Sequence, residues 1–269
     1  MAELMVLTLT EEERKRGMWL REFRSLYEGF RSSGAVLVKG AYNREKLERL
    51  RALYLEKYAD YLYEEERGDA LEVGNRRRMV TIEVAGAFND PEIYANPFLL
   101  PLIQLFTETD AILGGFGSVV SLPGSLDQGV HADHPPLFGE DRFDLHLPCF
   151  AILMISPLIE MNDLHGTTAV WPGSHAVPRK EVQALCRCEL PIVEVGDALL
   201  MDYRLWHAGT ANRSSVPRPV LYSYYARQWF RDCVNYFQQH ALEISPEELQ
   251  RVPDSLRYLF LYAHLRRSL

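Results

Sequence analysis

His131 and Asp133 stand two residues apart in GVHADH, Gly129 to His134. In an extended chain, residues i and i+2 project from the same face. A strand here would set an imidazole beside a carboxylate, and the preceding SVVSLPG has strand character. Those two groups are two-thirds of the facial triad of two histidines and one carboxylate that holds a non-haem Fe(II) and leaves open positions. The HxD pattern is common by chance, so its meaning depends on a third ligand. His207 is the histidine whose surroundings qualify. It follows GDALLMDYRLW, a strand entered through a Gly-Asp turn, and precedes AGTANRSSVPRP, which leads into Arg218 at the start of another strand. Ferrous iron needs an electron source to activate dioxygen. A 2-oxo acid supplies one by chelating the metal, and its distal carboxylate suits a planar guanidinium that binds it bidentately. The order HxD, H, R is chemically coherent.

The elements that must position these groups can be read along the chain. Thr10 and Glu13 form a capping-box pattern, followed by Met18, Trp19, Phe23, Leu26, Tyr27 and Phe30 at helical spacing. GAVLVKG, Gly34 to Gly40, predicts a short strand. Asn43 caps a second helix with Leu47, Leu50, Tyr54, Tyr58 and Tyr61 on one stripe, and the run 64–67 is its solvated end. RRMVTIEVAG predicts a strand whose opening arginines, Arg76 to Arg78, read as solvated, with one of them free to meet an anionic substrate. A helix is expected from about Phe98 to Thr109. Beyond Gly117, SVVSLPG, GVHADH, LPCFAILMIS, TTAVWPGSH, LPIVEVGDALLMDY and PVLYSYYARQW predict strands between Gly, Pro, Asn and Asp turns. FAILMIS is apolar on both faces and belongs inside. The expected architecture is mainly β with flanking helices. It is one domain over 1–269: a helical region about 1–75, a β core about 76–230 and C-terminal helices about 231–269, the last starting at SPEEL.

Composition excludes several function classes. A chain of 269 residues, 47% hydrophobic and 25% charged, has the make-up of a globular enzyme-sized domain. A net charge of −8 argues against a nucleic-acid partner. No apolar run is long enough for a membrane span, and the N-terminus carries no signal-peptide core. The four cysteines form neither a disulfide scaffold nor a zinc pattern, which fits reduced thiols and a cytoplasmic protein.

His131-x-Asp133, His207 and Arg218, together with WPGSH (Trp171 to His175) and the opening helix followed by SSGAVLVKG, resemble the phytanoyl-CoA dioxygenase family. The similarity runs from residue 11 to the 230s. It implies a double-stranded β-helix, a jelly-roll, cupin-like core. It also implies Fe(II), 2-oxoglutarate and O2, with iron on His131, Asp133 and His207 and the 2-oxoglutarate carboxylate on Arg218. Two departures matter. His165 replaces the usual Asn before Gly166, and Gly209 stands where a small hydroxyl residue often helps hold 2-oxoglutarate. Thr167 and Thr168 are the candidates to replace that hydroxyl, and Thr168 is taken as cofactor-binding. Gln128 either contacts 2-oxoglutarate or substrate or stabilises a turn. His175 is read as a local structural hydrogen bonder. Tyr203, Trp171, Tyr225 and Trp229 are read as core, and Pro135 to Phe143, with Arg142, as a lid segment. Halogenating relatives lack the carboxylate, so Asp133 favours hydroxylation, desaturation or ring formation. The expected activity is hydroxylation of a small-molecule metabolite, possible roles being in specialised metabolism. The alternatives are an oxygenase acting on a protein or peptide side chain, or a metal-binding pseudoenzyme. The sequence leaves the oligomeric state open.

Overall fold

The computed structural model describes residues 2–17, 23–63, 70–139 and 141–266. Its strands are β1 (Met5–Thr8), β2 (Ala35–Lys39), β3 (Leu71–Glu72), β4 (Arg77–Thr81), β5 (Ile112–Ser121), β6 (Ala151–Pro157), β7 (Thr168–Val170), β8 (Ala198–Asp202), β9 (His207–Gly209), β10 (Arg218–Ala226), β11 (Glu243–Ile244) and β12 (His264–Leu265). The helices are α1 (Glu11–Arg16), α2 (Phe23–Ser33), α3 (Arg44–Lys57), α4 (Pro91–Tyr94), α5 (Leu99–Thr107), α6 (Asp141–Asp144), α7 (Val182–Leu185) and α8 (Pro246–Arg251). Met18, Trp19 and the 64–67 charge run fall outside the described residues.

Eight strands form one sheet in the order β1-β2-β8-β6-β10-β5-β4-β3, while β7–β9 and β11–β12 stand as separate pairs. This corrects the expected mainly-β, jelly-roll core. The fold is mixed α/β around an open sheet that does not close into a barrel. The sequence pattern marked β5, β6, β7, β8 and β10 in this region, missed β9, and could not say which strands hydrogen-bond. β7 and β9 are three residues each and pair only with one another, so they do not build a second sheet to match the first. The C-terminal region is also less helical than expected, holding α8 and a 3-10 helix over Asp254–Phe260 between two short strands.

Period-two alternation divides the main sheet's residues between two faces. Val36, Ile152, Met154, Leu200, Leu221 and Tyr225 join the larger core cluster, into which α2, α3 and α5 also pack. Leu153, Ile155, Val220 and Tyr222 alternate with them and line a cavity on the other face. That division explains why FAILMIS is apolar throughout: both faces are covered.

Local signals place the helices. Thr10 and Glu13 complete the capping box of α1, and Asn43 caps α3 by accepting from the Lys46 amide. Phe30 stacks on Phe106 at 3.9 Å, fastening α2 to α5. Gly34 ends α2 at φ 71°, and a Cβ there would lie 2.3 Å from His175 Nδ1. The WPGSH turn docks on this junction. Gly173 N donates to Ser33 O at 2.7 Å, and His175 Nε2 lies 3.1 Å from Arg31 O. His175 therefore has a structural contact, but a long-range one rather than the local one expected. Ser174 Oγ accepts from Trp206 N at 2.9 Å, so the same turn fixes the approach to His207.

Candidate metal centre

His207 opens β9, whose partner β7 sets Val170 opposite His207 and Thr168 opposite Gly209. On the other side His131 bridges to His207: each backbone N–H donates to the other's carbonyl, at 3.0 and 2.8 Å. This single antiparallel bridge aligns the two side chains, and the ring centroids lie 4.5 Å apart. GVHADH is thus a loop with one bridge rather than the strand expected from its sequence, yet the bridge suffices to bring Asp133 alongside. One ligand atom from each of His131, Asp133 and His207 lies within 4.8 Å of the others.

The donor chemistry fits a divalent metal. His131 Nδ1 lies 2.8 Å from Gly129 O, and His207 Nδ1 lies 3.0 Å from Leu205 O. A carbonyl accepts only from a protonated nitrogen, so both rings carry the proton on Nδ1 and present a lone pair at Nε2. Burial, and for His131 also the neighbouring His207, lowers both imidazole pKa values and keeps the rings neutral. Asp133 Oδ1 lies 3.5 Å from His207 Nε2, and Asp133 Oδ2 is buried without a hydrogen-bond partner. Burial pushes the Asp133 carboxyl up to about 7, against the pull of His131. A cation bound among the three groups would satisfy the orphaned oxygen and reverse that shift.

The segment after β10 fastens this loop. Asn235 Nδ2 donates to Asp133 O and to Asp232 Oδ2, both at 2.7 Å. Buried Asp232 also accepts from Tyr203 OH at 2.7 Å and, through Oδ1, from the Val234 and Asn235 amides at 2.9 Å. Asn235 and Asp232 were not marked by the sequence, because DCVNYF matches no motif and the contact spans a hundred residues.

A cavity of about 500 Å³ joins the triad to Arg218, Thr168 and Tyr203. Arg218 is almost fully buried and donates through Nη2 to Ser121 Oγ at 2.9 Å. Thr168 lines the cavity, whereas Thr167 Oγ1 is committed to Pro191 O at 2.5 Å. Gln128 also lines it, but its amide is spoken for: Oε1 accepts from Gly209 N at 2.8 Å and Nε2 donates to Val73 O at 2.6 Å. Arg77 and Arg78 are buried, which corrects the reading of a solvated strand start; Arg77 lies in the cavity wall. Tyr203 lines the cavity too, while Tyr225 donates to Tyr94 O in the core and Trp229 is exposed. The cavity wall is continued by Val73, Gly74, Asn75 and Met79 and by Asn235 and Tyr236. The described part of the 135–143 loop is absent from that wall, and the Arg142 side chain lies outside the described residues. His134 turns to Pro135 O and the Phe230 ring, and is not part of the triad.

Among the described residues no helix is long and apolar enough to cross a membrane. The four cysteines are free thiols. A family model described as phytanoyl-CoA dioxygenase (PhyH) matches residues 30–220. The dioxygenase af480 of Aspergillus fumigatus is 24% identical over 182 residues, covering 65% of this chain. The chain spans about half that relative's length, 55%. The fold resembles the epimerase SnoN in complex with Fe3+, alpha-ketoglutarate and nogalamycin RO, with TM-score 0.62 and 16% identity over 80% of this chain and 88% of that one. It also resembles HygX from Streptomyces hygroscopicus with nickel and 2-oxoglutarate, with TM-score 0.59 and 17% identity over 87% and 93% of the two chains.

Proposed function

The chain belongs to the phytanoyl-CoA dioxygenase family, and from that membership and the geometry of the triad we propose a non-haem Fe(II)- and 2-oxoglutarate-dependent oxygenase acting on a small molecule. The observation that carries the reading is the convergence of His131, Asp133 and His207 ligand atoms within 4.8 Å of one another on the wall of a cavity. When bound, iron and 2-oxoglutarate supply an oxidant strong enough for an unactivated C–H bond, with succinate and carbon dioxide as co-products.

The chain's own residues do the rest. His131 and His207 would hold the metal through Nε2 and Asp133 through a carboxylate oxygen, a ligand set of the kind that keeps open positions on the ion. Arg218 would hold the carboxylate of the co-substrate remote from the metal, and Thr168 lines the same cavity. Leu153, Ile155 and Val220 give the cavity an apolar lining, which would keep water from the reacting carbon. Tyr203 keeps its proton, because burial and the carboxylates of Asp133 and Asp232 raise its pKa, and it spends that proton on Asp232.

The cavity lies within the range of roughly 300–1,000 Å³ common for small-molecule sites. Its concave shape supports a metabolite over a protein side chain. With Asp133 in the ligand set, we take hydroxylation as the reaction and specialised metabolism as the setting. Solved proteins of similar fold are described as an epimerase and a carbocyclase from nogalamycin biosynthesis, so the product must be identified directly. The test is anaerobic addition of Fe(II) and 2-oxoglutarate, which should give a weak visible charge-transfer band. Oxygen and candidate metabolites should then give succinate and a product 16 mass units heavier, roughly one added oxygen atom. No band and no succinate would sink the reading. A product lighter by two hydrogens or unchanged in mass would replace hydroxylation with desaturation, ring closure or epimerisation.

A further inference from the structure

Ser121 is the middle of an unusual arrangement. β5 lies between β4 and β10, and the register sets both Arg77 and Arg218 directly opposite Ser121. Arg77 Nε donates to Ser121 Oγ at 2.8 Å and Arg218 Nη2 donates to the same oxygen at 2.9 Å. Arg77 and Arg218 are 1% and 3% exposed as whole residues, and both line the cavity. Arg77 Nη1 and Nη2 each donate one hydrogen, to the carbonyls of Leu126 and Thr210, which leaves a second N–H on each nitrogen. Arg218 Nε is buried without a partner.

Neither guanidinium forms an ion pair with a carboxylate among the described residues; their hydrogen-bond acceptors are a hydroxyl and carbonyls. The one acid acting on Arg77 is Asp127, which is exposed and already accepts from Ala211 N at 2.7 Å. Two like charges this close, out of water and without a counter-charge, oppose folding. Burial and the neighbouring Arg77 push Arg218 down to about 9, and burial pushes Arg77 down to about 10, the sign expected of cations lacking an anion. Gly209 fits the same picture. A Cβ there would lie 2.5 Å from Gln128 Oε1 and 3.3 Å from Arg77 Cζ, so Arg77 and Gln128 occupy the space a side chain would need.

We infer that Arg77 and Arg218 together form a preformed anion pocket, and that Arg77 is a second cationic anchor for the carboxylate of the dicarboxylate co-substrate remote from the metal. The choice of co-substrate rests on the proposed function, but the pocket itself does not require a metal. It takes a carboxylate that two guanidiniums can share.

Glutarate separates the two ideas, because it has the remote carboxylate but no 2-oxo group to chelate a metal. Calorimetry on metal-free protein should detect glutarate binding, and neutral glutaramide should not bind. Arg77→Met should weaken glutarate by about thirtyfold or more, as loss of one partner of a buried charged contact does. Arg218→Met should leave a residual affinity that Arg77→Met then removes. Arg77→Lys keeps a charge near Ser121 and should fall between wild type and Arg77→Met, which covers the case that the methionine variant does not fold. A folded Arg77→Lys or Arg77→Met protein with glutarate affinity within about twofold of wild type overturns the inference. So does metal-free wild type that fails to bind glutarate at all. Loss of the iron charge-transfer band with glutarate binding intact would count against the proposed function while leaving the pocket standing.

Discussion

Replacing Asn235 by alanine tests whether the segment after β10 positions Asp133, the carboxylate of the proposed metal site, or merely covers it. Asn235 Nδ2 bridges Asp133 O and Asp232 Oδ2, each at 2.7 Å. Losing a hydrogen bond to a neutral carbonyl costs about 1 kcal/mol and one to a charged carboxylate about 1.5–3 kcal/mol, so the variant should lose about 2.5–4 kcal/mol of stability. Asp232 would keep Tyr203 OH and two backbone amides, which argues for the lower half of that range. The effect on the metal is separate. Outer partners that orient a ligand typically contribute about 10–100-fold in affinity, and Asp133 is held through its own backbone carbonyl. Anaerobic Fe(II) or Co(II) titration gives the affinity, and urea unfolding of the metal-free protein gives the stability. Asn235→Asp should be worse than alanine, since it sets a second carboxylate against buried Asp232. Metal affinity within about twofold of wild type, with the full stability loss, would refute the positioning role and leave Asn235 as a fastening only.

Other expectations follow from single contacts. Asp133→Ala should abolish the charge-transfer band and succinate formation while circular dichroism stays native. Asp202, 2% exposed, grips Arg204 through two bonds of 2.9 and 2.7 Å, and Arg204 Nη1 holds the carbonyls of Asp144 and Leu147. Asp202→Asn should cost about 3–5 kcal/mol by leaving that guanidinium unpaired, measured by urea midpoint. Despite burial, Arg204 lowers the Asp202 pKa from 3.8 to about 2. A depressed carboxyl stabilises the fold above its unfolded pKa, so this contribution is complete above about pH 4 and fades between about pH 4 and 2. Acid titration of stability should show that loss in wild type and not in the asparagine variant. Gly209→Ala should force Gln128 aside and cost about 1–3 kcal/mol, with weaker glutarate binding in the metal-free protein; unchanged binding would mean the space is not filled as described.

The sequence by itself determined the local features and the chemically marked residues. The capping box at Thr10, the Asn43 cap and the unbroken apolar run FAILMIS are local features, so the sequence carries them openly. His131, Asp133 and His207 were legible because a metal site demands particular side-chain types, and the WPGSH turn because Pro and Gly mark backbone geometry. Tertiary structure decided everything that rests on strand partnership. The open eight-stranded order replaced the expected jelly roll, since hydrophobic period reports that a strand is buried and not which strand it adjoins. The same limit hid Arg77. An arginine at the start of a strand reads as solvated, and only the shared register with Ser121 buries it beside Arg218. Asp133 itself was found for the wrong local reason: its place alongside His131 comes from one backbone bridge to His207, not from a continuous strand. Side-chain chemistry marked His131, Asp133 and His207, and long-range hydrogen-bond pairing brought them to one point.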